Sequence, residues 1–221
     1  MAIKAVLFDI DGTLVDSNDY HVRAWDVAFS EVDTHFDDQA IHDQIGKGTD
    51  NLVPTLLPGS SEEQQQAIGD RHGAVFKSRY LDEVKPFPGA RDLLLRVHAA
   101  GHQVVLASSA SQEELDHYLD LLDVRDIVSE TTTADDVKNT KPAPDIFAKA
   151  LEKIAPVQAD QAIVVGDTPY DCDAARKCGI RAVAVRSGKF TDDALREAGA
   201  AVIYDDVAQL LADYEGSSLA G

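Results

Sequence analysis

The sequence predicts an α/β protein: a Rossmann-like parallel sheet core with helices on both faces and an inserted all-helical cap domain. Three observations carry this. Six short apolar segments, most of them rich in Val and Ile and ending in polar residues or Gly, read as buried strands. Helical patterns alternate with them, which implies parallel strands joined by helical crossovers. The alternation lapses once, over residues 16–84, where four amphipathic helical patterns follow one another without a convincing strand.

In chain order, the first strand is 4–8, an apolar run that stops at Asp9. The helical block then reads as 18–32, 37–45, 49–57 and 61–81, between hinges near Val15 and at Lys85-Pro86-Phe87-Pro88. Residues 1–15 and 85–221 are thus expected to form the α/β catalytic core, and 16–84 the helical cap. Helix 88–100 ends at Gly101, a natural C-cap. Strand 103–107 precedes helix 111–122, whose Ser111 and Glu114 have capping-box spacing. After strand 127–129 comes helix 144–154, with Pro144 in the first turn, where a missing N–H does no harm. Strand 162–165, helix 171–178 ending at Gly179, and strands 181–185 and 201–204 complete the core. The small, polar tail 216–221 is expected to fray.

Composition bounds the function. Of 221 residues, 44% are hydrophobic and 27% charged, ordinary values for a globular chain. A net charge of −19, from 20 basic and 39 acidic residues, argues against a nucleic-acid surface. It does not argue against an anionic small molecule, because one cation and a few basic groups set the local field. No apolar run approaches the ~18 residues of a membrane span, and the chain enters its first strand at once, so a cytoplasmic protein is expected. Cys172 and Cys178 read as reduced thiols, and no Cys/His metal spacing is present. A monomer is the expected state.

Four pieces at or just after strand ends form one constellation: Asp9-x-Asp11-Gly12-Thr13, Ser108-Ser109, Lys141-Pro142, and Gly166-Asp167-Thr168-Pro169-Tyr170-Asp171. Taken singly, each also reads as a turn, a helix cap or a surface charge. In a parallel sheet all four point to one edge, where open α/β sheets bind ligands. Asp9 and Asp11 repel each other unless a cation lies between them, which suggests a metal. The set suits phosphoryl transfer. One carboxylate can attack phosphorus and a second can protonate the leaving oxygen. A hard cation, Mg²⁺, can neutralise the anions, while a Ser hydroxyl and a Lys ammonium hold phosphoryl oxygens.

These motifs, together with Leu14 and Cys172-Asp173-Ala174-Ala175, resemble the haloacid dehalogenase superfamily over nearly the whole chain. The resemblance is to its helical-cap branch, which holds phosphoglycolate phosphatase and β-phosphoglucomutase. It implies Asp9 as nucleophile and Asp11 as general acid/base. It implies Mg²⁺ held by the Asp9 carboxylate, the Asp11 main-chain carbonyl and Asp167, with Asp171 acting on the metal indirectly or through a water. Ser108 and Lys141 would hold the phosphoryl group, with Ser109 beside them, and the cap would open and close over the site. The implied function is a Mg²⁺-dependent phosphatase acting on a small phosphate ester.

Within the superfamily, dehalogenases and phosphonatases lack the second Asp, so Asp11 argues for ester chemistry. The alternative is a β-phosphoglucomutase-like sugar phosphate mutase, which the segment Asp16 to Trp25 resembles, His21 and Trp25 included. That mutase flanks its cap Gly loop with a Lys and an Arg, where this chain has Ile45 and Thr49, and the loss of a bidentate Arg favours hydrolysis. Lys47, between Gly46 and Gly48, and His21 are the cap candidates for substrate contact. His21, Trp25 and Phe29 also stand four apart and equally read as one packed helix face.

Overall fold

Strand β1 (Ala5–Phe8) is buried on both faces, and everything else is arranged around it. The computed structural model describes residues 2–221. After β1 come four helices, α1 (Asn18–Ser30), α2 (Asp38–His42), α3 (Thr49–Leu56) and α4 (Glu62–Arg79). The chain then alternates: α5 (Ala90–Ala99), β2 (Gln103–Ala107), α6 (Gln112–Leu122), β3 (Val128–Thr132), α7 (Asp145–Lys153), β4 (Ala162–Gly166) and α8 (Pro169–Lys177). It closes with β5 (Arg181–Val185), α9 (Asp192–Ala198), β6 (Ala200–Tyr204) and α10 (Val207–Ala212).

All six strands are parallel, in the order β3-β2-β1-β4-β5-β6. The sense in which successive strands are added reverses at β1, because β2 lies on one side of it and β4 on the other. Such a switch point opens a crevice at the carboxyl ends of the strands. Register fixes what lines that crevice. Phe8 lies level with Leu106 and with Val165, so Asp9, Ser108 and Asp167 emerge along one edge.

Side chains alternate across the sheet. Val6, Phe8, Val104, Leu106, Ile163 and Val165 pack against Leu93, Leu94 and Val97 of α5, Leu115 and Tyr118 of α6, and Leu210 of α10. Leu7, Val105 and Val164 pack on the other face against Ile146 and Phe147 of α7 and Cys172 of α8. Helices α1 to α4 carry a third apolar cluster of their own, which includes Trp25, Phe29, Ile41, Leu52 and Ile68. The two connections between this block and the sheet run side by side. The Asp16 N–H donates to the Lys85 carbonyl and the Phe87 N–H to the Leu14 carbonyl, both at 2.9 Å.

The structure differs from expectation at several places. Strand β3 extends to Thr132, two residues of it exposed, because an edge strand tolerates the polar run Ser129-Glu130-Thr131-Thr132. Helices α9 and α10 are short and start at the side-chain caps Thr191 and Asp206. The tail does not fray through 216–221: Leu219 is fully buried in the core, and the Ser217 hydroxyl donates to the Tyr214 carbonyl at 2.7 Å. Cys172 and Cys178 are both free thiols. Among the described residues no helix is long and apolar enough to cross a membrane.

Candidate active site

The loop that leaves β1 turns within five residues. The Leu14 N–H returns to the Ile10 carbonyl at 2.8 Å and the Gly12 N–H reaches the Val15 carbonyl at 2.8 Å. Gly12 has a φ of +75°, and a Cβ there would stand 2.1 Å from Asp167 Oδ2. Only glycine permits both this backbone and the approach of the second acidic loop. The Thr13 hydroxyl donates to Asp167 Oδ1 at 3.0 Å, and Asn18, the first residue of α1, donates to Asp167 Oδ2 at 3.0 Å.

Asp9, Asp167 and Asp171 come together with carboxylate oxygens all within 4.8 Å of one another, and all three are buried. One cation stands among them. Lys141, 1% exposed, donates to Asp9 and approaches Asp171 Oδ1 at 2.7 Å. The Asp171 side chain is further held by the Thr168 hydroxyl at 2.6 Å, within a capping box that opens α8. Burial of the ammonium is outweighed by Asp171 and Asp9, which hold its pKa above the ordinary lysine value. The acids bear the imbalance. Burial raises Asp9 from 3.8 to about 7, with Lys141 opposing and Asp171 adding to the rise. Burial, then Asp9 and Asp171, push Asp167 well above the ordinary carboxylate range. Three carboxylates facing one ammonium leave negative charge in excess. An all-oxygen donor set of this kind fits a hard divalent cation such as Mg²⁺.

Asp11 is turned away from this cluster. Its Oδ1 accepts from the Ser17 hydroxyl at 2.6 Å and the Tyr118 hydroxyl at 2.9 Å, and lies 3.2 Å from His21 Nε2. Burial opposes its ionisation, but His21, Ser17 and Tyr118 together outweigh burial and bring Asp11 down to about 2. The two serines after β2 divide. The Ser108 hydroxyl lies 3.5 Å from Asp11 Oδ2 and accepts the Ala110 N–H at 3.0 Å. The Ser109 hydroxyl instead points at the Gly46 carbonyl, at 3.4 Å.

The two cap candidates also separate. His21 stacks on Phe76 with ring centres 3.8 Å apart, and its Nδ1 lies 3.2 Å from His72 Nε2. It is both packed and adjacent to Asp11. The Lys47 ammonium donates to Gln44 Oε1 at 2.6 Å and sits 4.7 Å over the Tyr170 ring. The loop that carries it is seated on the core. The Gly48 N–H donates to Thr140 Oγ1 at 2.9 Å, and Asp50 Oδ2 accepts the Thr140 N–H at 3.0 Å.

Asn18, Tyr118, His72 and the Asp50–Thr140 pair escape sequence reasoning, and Thr13 enters it without a role of its own. Tyr118 stands at core spacing on α6, and nothing in the sequence distinguishes its hydroxyl from a core tyrosine's. His72 lies on a helix that is polar nearly all round. Thr13 was the one with a signal, since it belongs to the Asp9 motif. Between the helical block and the sheet edge lies a cavity of about 860 Å³, floored by Asp9, Asp11 and Ser108 and roofed by His21, Trp25 and the 46–48 loop.

Comparison with known proteins places this arrangement. The profile of haloacid dehalogenase-like hydrolases matches residues 6–185. Phosphoglycolate phosphatase of Rhodospirillum rubrum is 27% identical over 216 residues, covering 94% of this chain and 89% of that protein. The crystal structure of a hydrolase from Pseudomonas syringae superposes with a TM-score of 0.90 at 29% identity, over 96% of this chain and 98% of that one. β-Phosphoglucomutase from Clostridium difficile shares the fold, with a TM-score of 0.81 at 24% identity over 97% of this chain and 96% of that one. With a family profile matched from inside β1 to the end of β5, the chain belongs to the haloacid dehalogenase-like hydrolases.

Proposed function

We propose that this enzyme is a Mg²⁺-dependent phosphatase that hydrolyses a small phosphorylated metabolite through an aspartyl-phosphate on Asp9. The observation that carries the reading is the buried cluster of Asp9, Asp167 and Asp171 around Lys141, with Asp11 two residues from Asp9. The phosphoglycolate phosphatase among the relatives supports the phosphatase class.

In this reading an Asp9 oxygen attacks phosphorus, the bond from phosphorus to the leaving alcohol breaks, and Asp11 gives that oxygen its proton. Asp11 then takes a proton from water as the water attacks phosphorus, which releases phosphate and restores the Asp9 carboxylate. The ionised Asp11 of the present arrangement is the form that accepts a proton in the second step. The first step needs Asp11 to have taken up a proton beforehand, and the negative charge of a bound phosphate raises its affinity for that proton. Lys141 and the Ser108 hydroxyl hold the phosphoryl oxygens as charge shifts between them. Asp9, Asp167 and the Asp11 main-chain carbonyl would hold Mg²⁺, with Asp171 bearing on it indirectly. Bound there, the ion supplies the positive charge that keeps Asp9 ionised at neutral pH and offsets the incoming anion. Residues 16–84 act as a cap that opens and closes about the paired connections at Val15 and 85–88.

Turnover of p-nitrophenyl phosphate with Mg²⁺, and its loss in EDTA, tests the class. Trapping with beryllium fluoride tests the nucleophile: the adduct is expected on Asp9, and an adduct elsewhere overturns the assignment. Conversion of a hexose 1-phosphate to the 6-phosphate, in place of phosphate release, would make the chain a mutase.

A further inference from the structure

Resting on the phosphatase reading, we propose a substrate class: the cavity over Asp9 and Asp11 accepts monophosphates of uncharged polyhydroxy compounds, sugars or sugar alcohols, and rejects esters whose leaving group carries a carboxylate or a second phosphate.

The phosphoryl end of any substrate is met by Lys141 and the acidic cluster. What lies beyond it selects the leaving group, and there the charge balance is unfavourable to an anion. Three lysines line the cavity, Lys47, Lys77 and Lys138, against five carboxylates besides Asp9 and Asp11; among the described residues no arginine lines it. The lysines are committed or remote. The Lys47 ammonium is turned to Gln44 and to the Tyr170 ring, neither of which lines the cavity. Lys77 is paired at 2.6 Å with Glu113, which also lies outside it. Lys138 is exposed. Four of the five carboxylates, Asp50, Glu62, Asp70 and Asp135, are exposed, and Glu114 is held by Ser111 at the start of α6. The lining is therefore net negative but partly screened by solvent, which weighs against a second anionic group on the substrate.

The remaining wall is uncharged and hydrogen-bonding. Trp25 and His72 stack with ring centres 3.9 Å apart and both line the cavity, so two aromatic rings form part of its wall. Burial holds the His72 imidazole well below its ordinary pKa, so it adds no cation. Gln65 and Ser109 add an amide and a hydroxyl. Gly73 on α4 leaves room beside them, since a Cβ there would meet nothing within 4 Å. A few placed polar groups around a ring-sized space suit a polyol, whose hydroxyls both donate and accept.

The test uses the full chain with Mg²⁺ and measures kcat/KM by phosphate release. Glucose 6-phosphate and sorbitol 6-phosphate are compared with 2-phosphoglycolate and fructose 1,6-bisphosphate, with p-nitrophenyl phosphate as reference. The neutral leaving groups should exceed the anionic ones by about tenfold or more. Gly73→Arg places a cation in the open space, on a helix that gains propensity by the change, and should shift the ratio toward 2-phosphoglycolate by a similar factor. A wild-type preference for either anionic ester overturns the proposal, and so does a Gly73→Arg ratio equal to wild type. If no ester is turned over, p-nitrophenyl phosphate included, the phosphatase reading itself falls and takes this one with it.

Discussion

Replacing Asp9 by Asn separates what this carboxylate does for the chemistry from what it costs the fold. Folding carries the group from 3.8 to about 7, first through burial, against the partial relief of Lys141. A carboxyl displaced upward binds its proton more tightly in the fold than in the unfolded chain. The stability it brings is complete below pH 4 and is lost as the pH rises through 7. The loss amounts to about 4 kcal/mol above pH 8 and to less than half of that at pH 5. Asparagine keeps the shape of the neutral acid and never ionises. In EDTA at pH 8 the variant should therefore be more stable than wild type, by up to about 4 kcal/mol, since the rise to about 7 already includes the attraction to Lys141. For a chain of this length that is a rise in Tm of roughly 8–16 °C. At pH 5 the gap should narrow to less than half. Turnover should fall by at least about 10⁴-fold, since an amide cannot form the acyl phosphate. Calorimetry in EDTA at both pH values, beside a phosphate-release assay, measures all of this. An Asp9→Asn protein that is less stable than wild type at pH 8 would refute the charge-excess argument, and one that retains turnover would refute the nucleophile assignment.

Asp11→Asn should lose about 10²- to 10⁴-fold in rate, and more on an alkyl phosphate than on p-nitrophenyl phosphate, whose leaving group needs no proton; equal losses would remove the acid role. Lys47→Ala should leave the ranking of substrates unchanged, because its ammonium is turned to Gln44 and the Tyr170 ring; a shift of the ranking toward neutral esters would show that Lys47 reaches the leaving group after all. In Gly48→Ala the new Cβ would fall 2.5 Å from the Thr140 side chain, so the cap loop should lift, raising KM and lowering kcat together, by about tenfold in kcat/KM; unchanged kinetics would mean that this seating is not used in turnover. Leu219→Ala should cost about 2–3 kcal/mol, read as a drop in Tm, and an unchanged Tm would show that the buried tail adds nothing to stability.

The sheet was legible because its strands are nearly uninterrupted runs of Val, Ile, Leu and Ala, which have few other uses at that length. Edge strand β3 was legible only in part: one of its faces meets solvent, so polar residues break the run. The tail was misread because Leu219 is a single apolar residue among small polar ones. The register of β1 against β2 and β4 placed Asp9, Ser108 and Asp167 on one edge as expected of a parallel sheet. Lys141 illustrates the limit of reading one residue at a time. Alone it looks like a surface charge, yet it is buried with two carboxylates, and its neighbours lie far away in sequence. The turn of Asp11 toward Ser17, His21 and Tyr118 was not legible at all, because it depends on side chains from the cap and from α6 converging on one oxygen.

The seating of the cap loop gives that convergence its meaning. Gly46 lies against Thr168, the neighbour of Asp167, and Gly48 against Thr140, the neighbour of Lys141. In both cases a side chain on the cap would strike a residue covalently joined to one that carries the chemistry. Asn18 and His21, at the start of α1, reach Asp167 and within hydrogen-bonding distance of Asp11 from the same block. The helical block therefore touches Asp167 and Asp11 directly, and the chain neighbours of Asp167 and Lys141 through Gly46 and Gly48, by backbone and polar side chains. If the block hinges at its paired connections, the loop that screens the leaving group and the contacts that orient Asp11 must engage together. Substrate selection and the readiness of the acid/base would then be one event, and variants at 46 and 48 should be unable to change one without the other.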